Sequence, residues 1–339
     1  LVAAELVLRV ILSLLTFDPN LLAHGQLATT DLGVTLLGLV ALYAAWRESQ
    51  STRSTIRWMW VTVAGFFLGL TLASKGSGFV YAPAMGAIIT GPHFVVWLKE
   101  RRIDNLGSLL IEGFVLAGIA GFVLWAVYGF QFGPLPDSTL QLPFPAHIRL
   151  LQTILKDTRR IAFLRGETRI GGWWWYFFYT TAVKTPLPLL AAGLWSVGIW
   201  IRRGSRRWMK TTPLLFFPIL YWSTAVTSGM NIGHRHLLPT FPLVYIFISQ
   251  LAALKGPLRV AGRHWLHGIQ LILLLGYAAE AIAVYPFYLA YFNQLAGGPS
   301  QGYRHLVDSN LAWGQSFIAL ERYMDEEKIP AVRLSYYTY

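Results

Sequence analysis

The sequence contains no cysteine. Disulfides and thiolate metal sites are therefore excluded, although compartment is left open. Charge is also scarce. Charged residues make up 13% of the 339 positions, whereas a soluble domain of this size carries roughly a quarter. Acidic groups are the scarcer sign, with 16 Asp and Glu against 28 Lys and Arg. No internal repeat or low-complexity tract is evident, and no pair of broken helices, which ranks a transporter below the other readings. There is no signal-peptide pattern, and the first residue is Leu1. Together with the strand-like 334–339, this leads us to expect that the natural chain extends beyond both ends.

What fills the chain instead is apolar. Hydrophobic residues reach 55% and aromatics 15%, and mean hydropathy is +0.47. Nine long apolar stretches run along it. Those near 58–73, 107–128, 212–229, 237–254 and 266–287 are each long enough to cross a hydrocarbon core as helices. The expected class is an all-α polytopic membrane protein. Four short loops, 47–57, 99–104, 202–210 and 255–263, hold 14 of the 28 Lys and Arg. By the positive-inside bias they are cytoplasmic. The other helix ends then share the opposite face and bring His24, Asp31, Lys75, the 129–184 segment, Arg235, His236 and the stretch from 288 to one side. The +12 charge suits anionic headgroups or phosphorylated substrates. It does not suit nucleic acid, because the basic residues are divided between two membrane faces.

Along the chain, 1–17 reads as an apolar helix with Glu5 and Arg9 spaced to pair, ended by Asp18-Pro19-Asn20. A helix opens at Thr29-Thr30-Asp31 and runs to about Trp46. Helices at 58–73 and 78–98 are joined by the Gly/Ser turn around Lys75, and a further helix spans 107–128. The segment 129–170 is proline-rich at first and then polar, with a helix-like run at 146–164. Its excess of Arg and Lys on an extracytoplasmic face calls for an anionic partner. Lys184-Thr185-Pro186 reads as a helix start, and after 288 hydropathy falls. The expected division is a transmembrane domain over 1–287 and the start of an extracytoplasmic domain over 288–339.

Ionisable groups at helix ends in so apolar a chain are costly unless used. Asp31 is either a functional carboxylate or part of a helix N-cap. Lys75 sits among glycines that let a phosphate approach, or it snorkels to the interface. The loop Asn231–Pro239 is either an anion site, with Arg235 making paired hydrogen bonds, or a solvated turn. A metal pair at His234 and His236 is weak, with no carboxylate nearby, so no metal is expected. Lys184 is a candidate for lipid phosphate or another snorkelling lysine. Trp173 lies in an aromatic cluster suited to the headgroup zone.

These motifs together resemble the lipid-carrier-dependent membrane glycosyltransferases of the GT-C fold, including protein mannosyltransferases and the aminoarabinose transferases of lipid A. His24-Gly25-Gln26-Leu27-Ala28-Thr29-Thr30-Asp31 looks like the segment carrying the family's second acidic residue. Leu70–Lys75 resembles its helix-ending lysine motif. Phe163–Glu167, Gly171–Trp174 and Lys184–Pro186 look like its periplasmic helices, and Asn231–Pro239 like its Arg-His-Leu-Leu-Pro loop. Tyr288–Asn293 and Asp308–Gln315 resemble the bacterial branch. The family's first acidic extracytoplasmic loop is not in this sequence, and Ala312 stands where relatives carry an acid.

The resemblance implies a GT-C-like helix bundle with extracytoplasmic loop helices and a small C-terminal periplasmic domain. The implied activity is transfer of a sugar from a polyprenyl-phosphate carrier to an acceptor (protein, lipid or glycan) at the outer face of the inner membrane, without a cofactor. Asp31 would be catalytic. Lys75, Arg165, Lys184, Arg235 and His236 would bind the donor phosphate. His24, Glu167 and Trp173 would line the acceptor cavity. Besides the lipid-linked sugar, membrane lipids and a membrane-complex partner are expected contacts. The rival reading is a non-catalytic membrane subunit that scaffolds a larger complex and binds lipid phosphate.

Overall fold

The structure, a computed structural model, describes residues 2–100, 106–135, 139–156, 160–202, 205–253 and 263–334. Helix α1 (Val2–Thr16) carries the Glu5–Arg9 pair, 2.6 Å apart on an exposed face. It is followed after a 58° bend by α2 (Pro19–Gly25). The bend is set by Asp18, whose carboxylate accepts the backbone N–H groups of Asn20 and Leu21 at 2.8 Å, with Pro19 in the first turn. Four longer helices come next: α3 (Asp31–Ser49), α4 (Ser54–Ser74), α5 (Tyr81–Glu100) and α6 (Leu106–Val127). A 3-10 turn over Gly76–Val80 joins α4 to α5.

These four helices and two later ones share one core, which includes Val34, Ala44, Ala45, Ala64, Tyr81, Ala120, Phe217 and Leu243. Small residues set its spacing. A side chain at Gly69 would place its Cβ 2.6 Å from the Ala120 carbonyl oxygen, and one at Gly65 would stand 2.8 Å from that of Leu116. Hence α4 lies directly against the backbone of α6, as small-residue pairs four apart permit in membranes. At the far end of α3 from Asp31, Arg57 bridges two buried carboxylates, Glu48 at 2.8 Å and Glu112 at 2.9 Å. These ties join α3, α4 and α6 about 25 Å from Asp31, at the usual rise per residue.

Beyond α6 comes a small layer outside the bundle. Strands β1 (Phe132–Pro134) and β2 (Gln141–Pro143) form an antiparallel hairpin. Helix α7 (Pro145–Lys156) follows, then a second hairpin of β3 (Ile161–Leu164) and β4 (Glu167–Ile170). The helix-like run expected over 146–164 is therefore helix only to 156, and Phe163–Glu167 is a hairpin rather than a periplasmic helix. Arg165 (φ 52°) and Gly166 (φ 86°) make the two-residue turn, the left-handed pair that matches the twist of a hairpin.

The chain then returns to the bundle with α8 (Tyr176–Lys184) and α9 (Leu187–Arg202), bent by 118° at Thr185-Pro186. Lys184 thus ends a helix instead of starting one. Helices α10 (Ser205–Thr227), α11 (Phe241–Ser249) and α12 (Arg263–Ala283) follow, with a 3-10 turn over His234–Thr240 leading into α11. Helices α1, α9, α11 and α12 enclose a second core around Leu14, Leu189, Tyr245 and Tyr277. Short 3-10 turns occupy 288–310, and α13 (Phe317–Glu326) closes the described chain. The expected strand at 334–339 falls mostly outside the described residues.

Among the described residues, five helical stretches are long and apolar enough to cross a membrane, or up to seven if each bent pair is one span. Large apolar side chains such as Leu36, Phe114, Leu194 and Ile272 stand exposed on the helices. Such faces suit contact with lipid tails. The chain is a helical multi-pass membrane protein.

Candidate functional site

One end of the bundle gathers ionisable groups from four separate parts of the chain. Asp31 is the first residue of α3 and is 1% exposed. It does not act as a cap. Thr30 holds the N-cap position and makes no side-chain capping bond. The two Asp31 oxygens instead point across the bundle. Oδ1 accepts from the Lys75 ammonium, and Oδ2 lies 3.4 Å from Nη1 of Arg235. Lys75 is delivered by the end of α4, where the backbone turns extended before the Gly76–Val80 turn. Arg235 comes from the 3-10 turn before α11. The side chains of Lys75 and Arg235 are 17% and 13% exposed, so neither is fully withdrawn from the surface.

Two imidazoles border this cluster. His24, near the end of α2, lies within electrostatic reach of Asp31, Arg235, Lys184 and Lys75, and His236 within reach of Lys75, Arg235, Asp31 and His24. Nδ1 of His24, Nε2 of His236 and Nε of Arg235 are buried without a hydrogen-bond partner among the described residues. Buried polar atoms are rarely left unpaired, so this is where a polar ligand would be satisfied. Below the cluster, the Tyr221 hydroxyl donates to Ser77 at 3.0 Å. Above it, Ile154 of α7 packs on Gly76, immediately after Lys75.

His234 is turned elsewhere. The Thr180 hydroxyl lies 3.1 Å from the Phe177 carbonyl and 3.0 Å from His234 Nδ1. Its one proton goes to the carbonyl, so it accepts from Nδ1–H. His234 Nε2 is then a bare acceptor, without a partner among the described residues. Within the described residues, no group of three His, Asp or Glu is placed to hold a metal ion.

The other expected site residues do not join the Asp31 cluster. Lys184 is 2% exposed. Its ammonium donates to the carbonyls of Leu289 at 2.8 Å and Asn310 at 2.9 Å, over the ring of Phe292. It fastens the segment after α12 to the bundle. Arg165 and Glu167 are exposed at the β3–β4 hairpin, where the Arg165 N–H donates to the His305 carbonyl at 3.0 Å. The backbone N–H of half-buried Trp173 donates to Asn231 Oδ1 at 2.6 Å, tying the aromatic cluster to the Asn231–Pro239 loop.

Sequence reasoning brought the stretch from 288 to this face but missed which of its residues bear on the site. Tyr291 donates to Glu280 of α12. Burial and then this carboxylate neighbour keep the phenol above its ordinary range, so it stays protonated. Asn310 accepts the His234 N–H at 2.9 Å, and the Arg235 guanidinium carbon lies 4.3 Å from the centre of the Trp313 ring.

Asp18, also missed, is a fully buried carboxylate that accepts from Tyr245 at 2.5 Å, with the Tyr277 hydroxyl 3.2 Å away and donating to the Leu14 carbonyl at 2.7 Å.

Residues 4–134 match the family model described as dolichyl-phosphate-mannose-protein mannosyltransferase. The matched part is well under half of the chain. It includes His24, Asp31 and Lys75 but stops before Arg235 and the 288–315 segment. No curated protein and no solved structure matches the chain. The part of the chain that supplies His24, Asp31 and Lys75 is thus similar to the dolichyl-phosphate-mannose-protein mannosyltransferases, a family of GT-C membrane glycosyltransferases.

Proposed function

We propose that this protein transfers a sugar from a polyprenyl-phosphate carrier to an acceptor hydroxyl at the Asp31–Lys75–Arg235 cluster, on the extracytoplasmic face of the inner membrane. The observation that carries this reading is the convergence of two cations on one buried carboxylate at a helix-bundle end. Unpaired His24, His236 and Arg235 nitrogens lie beside it.

The chemistry follows from charge. A sugar-linked polyprenyl phosphate is a diester with one negative charge. When the bond between the anomeric carbon and the phosphate oxygen breaks, the electron pair stays on that oxygen, and the carrier leaves as a monoester with a second charge. Lys75 and Arg235 stabilise the charge that develops. The acceptor oxygen bonds to the anomeric carbon and loses its proton. Asp31 takes that proton once the phosphate has drawn Lys75 and Arg235 toward itself and freed a carboxylate oxygen. Asp31 therefore has two duties in sequence, first holding the cations in place and then acting as base. The 288–315 segment forms part of the wall, so the expected second unit, 288–339, begins as part of the site before leading outward.

The test is binding in detergent micelles of a polyprenyl monophosphate and of the matching neutral polyprenol. Lys75→Gln and Arg235→Gln should each weaken the phosphate by about tenfold to a hundredfold, the range for lost charge-assisted hydrogen bonds. Polyprenol binding should hardly change. Equal loss for both lipids would set the reading aside. Normal phosphate binding without any sugar transfer would favour the scaffold subunit.

A further inference from the structure

We propose that Asp308–Gln315 is a strap that completes the candidate site, and that Trp313 is a positioning residue for the Arg235 guanidinium. This rests on the reading of Arg235 as a phosphate-binding group.

The strap is fastened along its length to the loop that carries Arg235. The Ser309 hydroxyl donates to the Ile232 carbonyl at 2.6 Å. Its oxygen occupies the space a side chain at Gly233 would need, 2.2 Å from where that Cβ would stand. Asn310 makes the central joint. Its Oδ1 accepts the His234 N–H, its Nδ2 donates to Tyr176 at 3.2 Å and Val307 at 3.0 Å, and its carbonyl accepts from Lys184. Asp308 adopts a left-handed φ of 60° to start the strap, and Gly314 one of 82° to turn it back. Gln315 closes the turn, with Oε1 accepting the Trp313 N–H at 2.5 Å and Nε2 donating to the Leu311 carbonyl at 3.1 Å. The result of this bonding is one placement, the indole over the guanidinium.

That placement matters because Arg235 has little else to fix it. Among the described residues its one ion-pair contact, to Asp31, is long at 3.4 Å, and its Nε has no hydrogen-bond partner. An aromatic face attracts a guanidinium and sets the plane of its fork while leaving the in-plane donors open. Trp313 thus orients Arg235 without using the N–H groups that a phosphate needs. It also explains why Lys184 is buried. That ammonium anchors the strap at Asn310 while also holding the Leu289 carbonyl, and through the strap it acts on Arg235.

The experiment is a double-mutant cycle on the intact protein, read as the Kd for a polyprenyl monophosphate with the neutral polyprenol as control. Trp313→Leu should weaken phosphate binding about threefold to thirtyfold, the span expected for a guanidinium–aromatic contact. Trp313→Phe should recover most of it. In an Arg235→Gln background, Trp313→Leu should add no further loss. Wild-type affinity in Trp313→Leu, or an equal loss in the Arg235→Gln background, would overturn the positioning role while leaving the site itself standing. Unchanged phosphate binding in Arg235→Gln alone would overturn both.

Discussion

At the residue scale, Asp31 separates this account from a purely structural one. Were it an N-cap, Asn would replace it at almost no cost. In the structure it balances two partly buried cations, so Asp31→Asn should destabilise the ligand-free protein by on the order of 3 kcal/mol, as for a broken buried ion pair. Transfer should be lost with it. Phosphate binding should survive or tighten, since no carboxylate competes for Lys75 and Arg235. Thermal unfolding in detergent, with and without a polyprenyl monophosphate, reads both effects. The midpoint of the free protein should fall, and the rise on adding the phosphate should grow. An unchanged midpoint would return Asp31 to the role of a cap.

Asp31 and Lys75 were legible in the sequence because a charged group beside a Gly/Ser turn or at a helix start stands out in so apolar a chain. Arg235 stood out within a polar loop between apolar stretches. The roles of Lys184 and Trp313 were not legible. Their partners are set by contacts across 78 to 126 positions, Arg235 to Trp313 and Lys184 to Asn310, and no local pattern encodes such pairs.

At the scale of elements, the long helices were readable because each is a single apolar run near the thickness of a bilayer. The 129–170 layer was harder. Its polar residues fit a helical pattern as well as an alternating one, and an Arg165-Gly166 turn is a weaker hairpin signal than Asn-Gly or Asp-Gly. The bends at Asp18-Pro19 and Thr185-Pro186 follow from proline, whose preceding residue avoids helical geometry. The close contact of α4 with α6 yields a clean test. Gly69→Leu directs a side chain at the Ala120 carbonyl, which belongs to a helix and cannot swing aside. It should lower stability by about 1–3 kcal/mol, the range for overpacking. Gly91→Leu in α5 meets nothing within 4 Å and is the matched control. Similar unfolding midpoints for the two variants would show that α4 and α6 do not depend on this approach.

At the scale of the whole molecule, charge distribution and site placement make one joint statement. Asp31, Lys75, His24 and Arg235 meet at one end of the bundle, while the Glu48–Arg57–Glu112 clamp and the 47–57 loop lie at the other. By the positive-inside bias, the proposed site is expected outside the cytoplasm. The absence of cysteine from these 339 residues makes this easy to test by labelling. A cysteine at exposed Ser300 should react with an impermeant maleimide added to intact cells, and one at exposed Gln50 only after permeabilisation. Labelling of both from the same side would contradict the arrangement.

The central claim, that this end of the bundle moves a sugar off a lipid phosphate, is tested most directly by single-turnover release. The purified protein is mixed with a polyprenyl-phosphate-linked hexose and membranes as the source of acceptor, and free polyprenyl monophosphate is measured by mass spectrometry. The account predicts release by the wild-type protein and a drop of at least about a hundredfold in Lys75→Gln, the scale for removing one stabilising group from a developing anion. Release from Lys75→Gln and Arg235→Gln at the wild-type rate would contradict it.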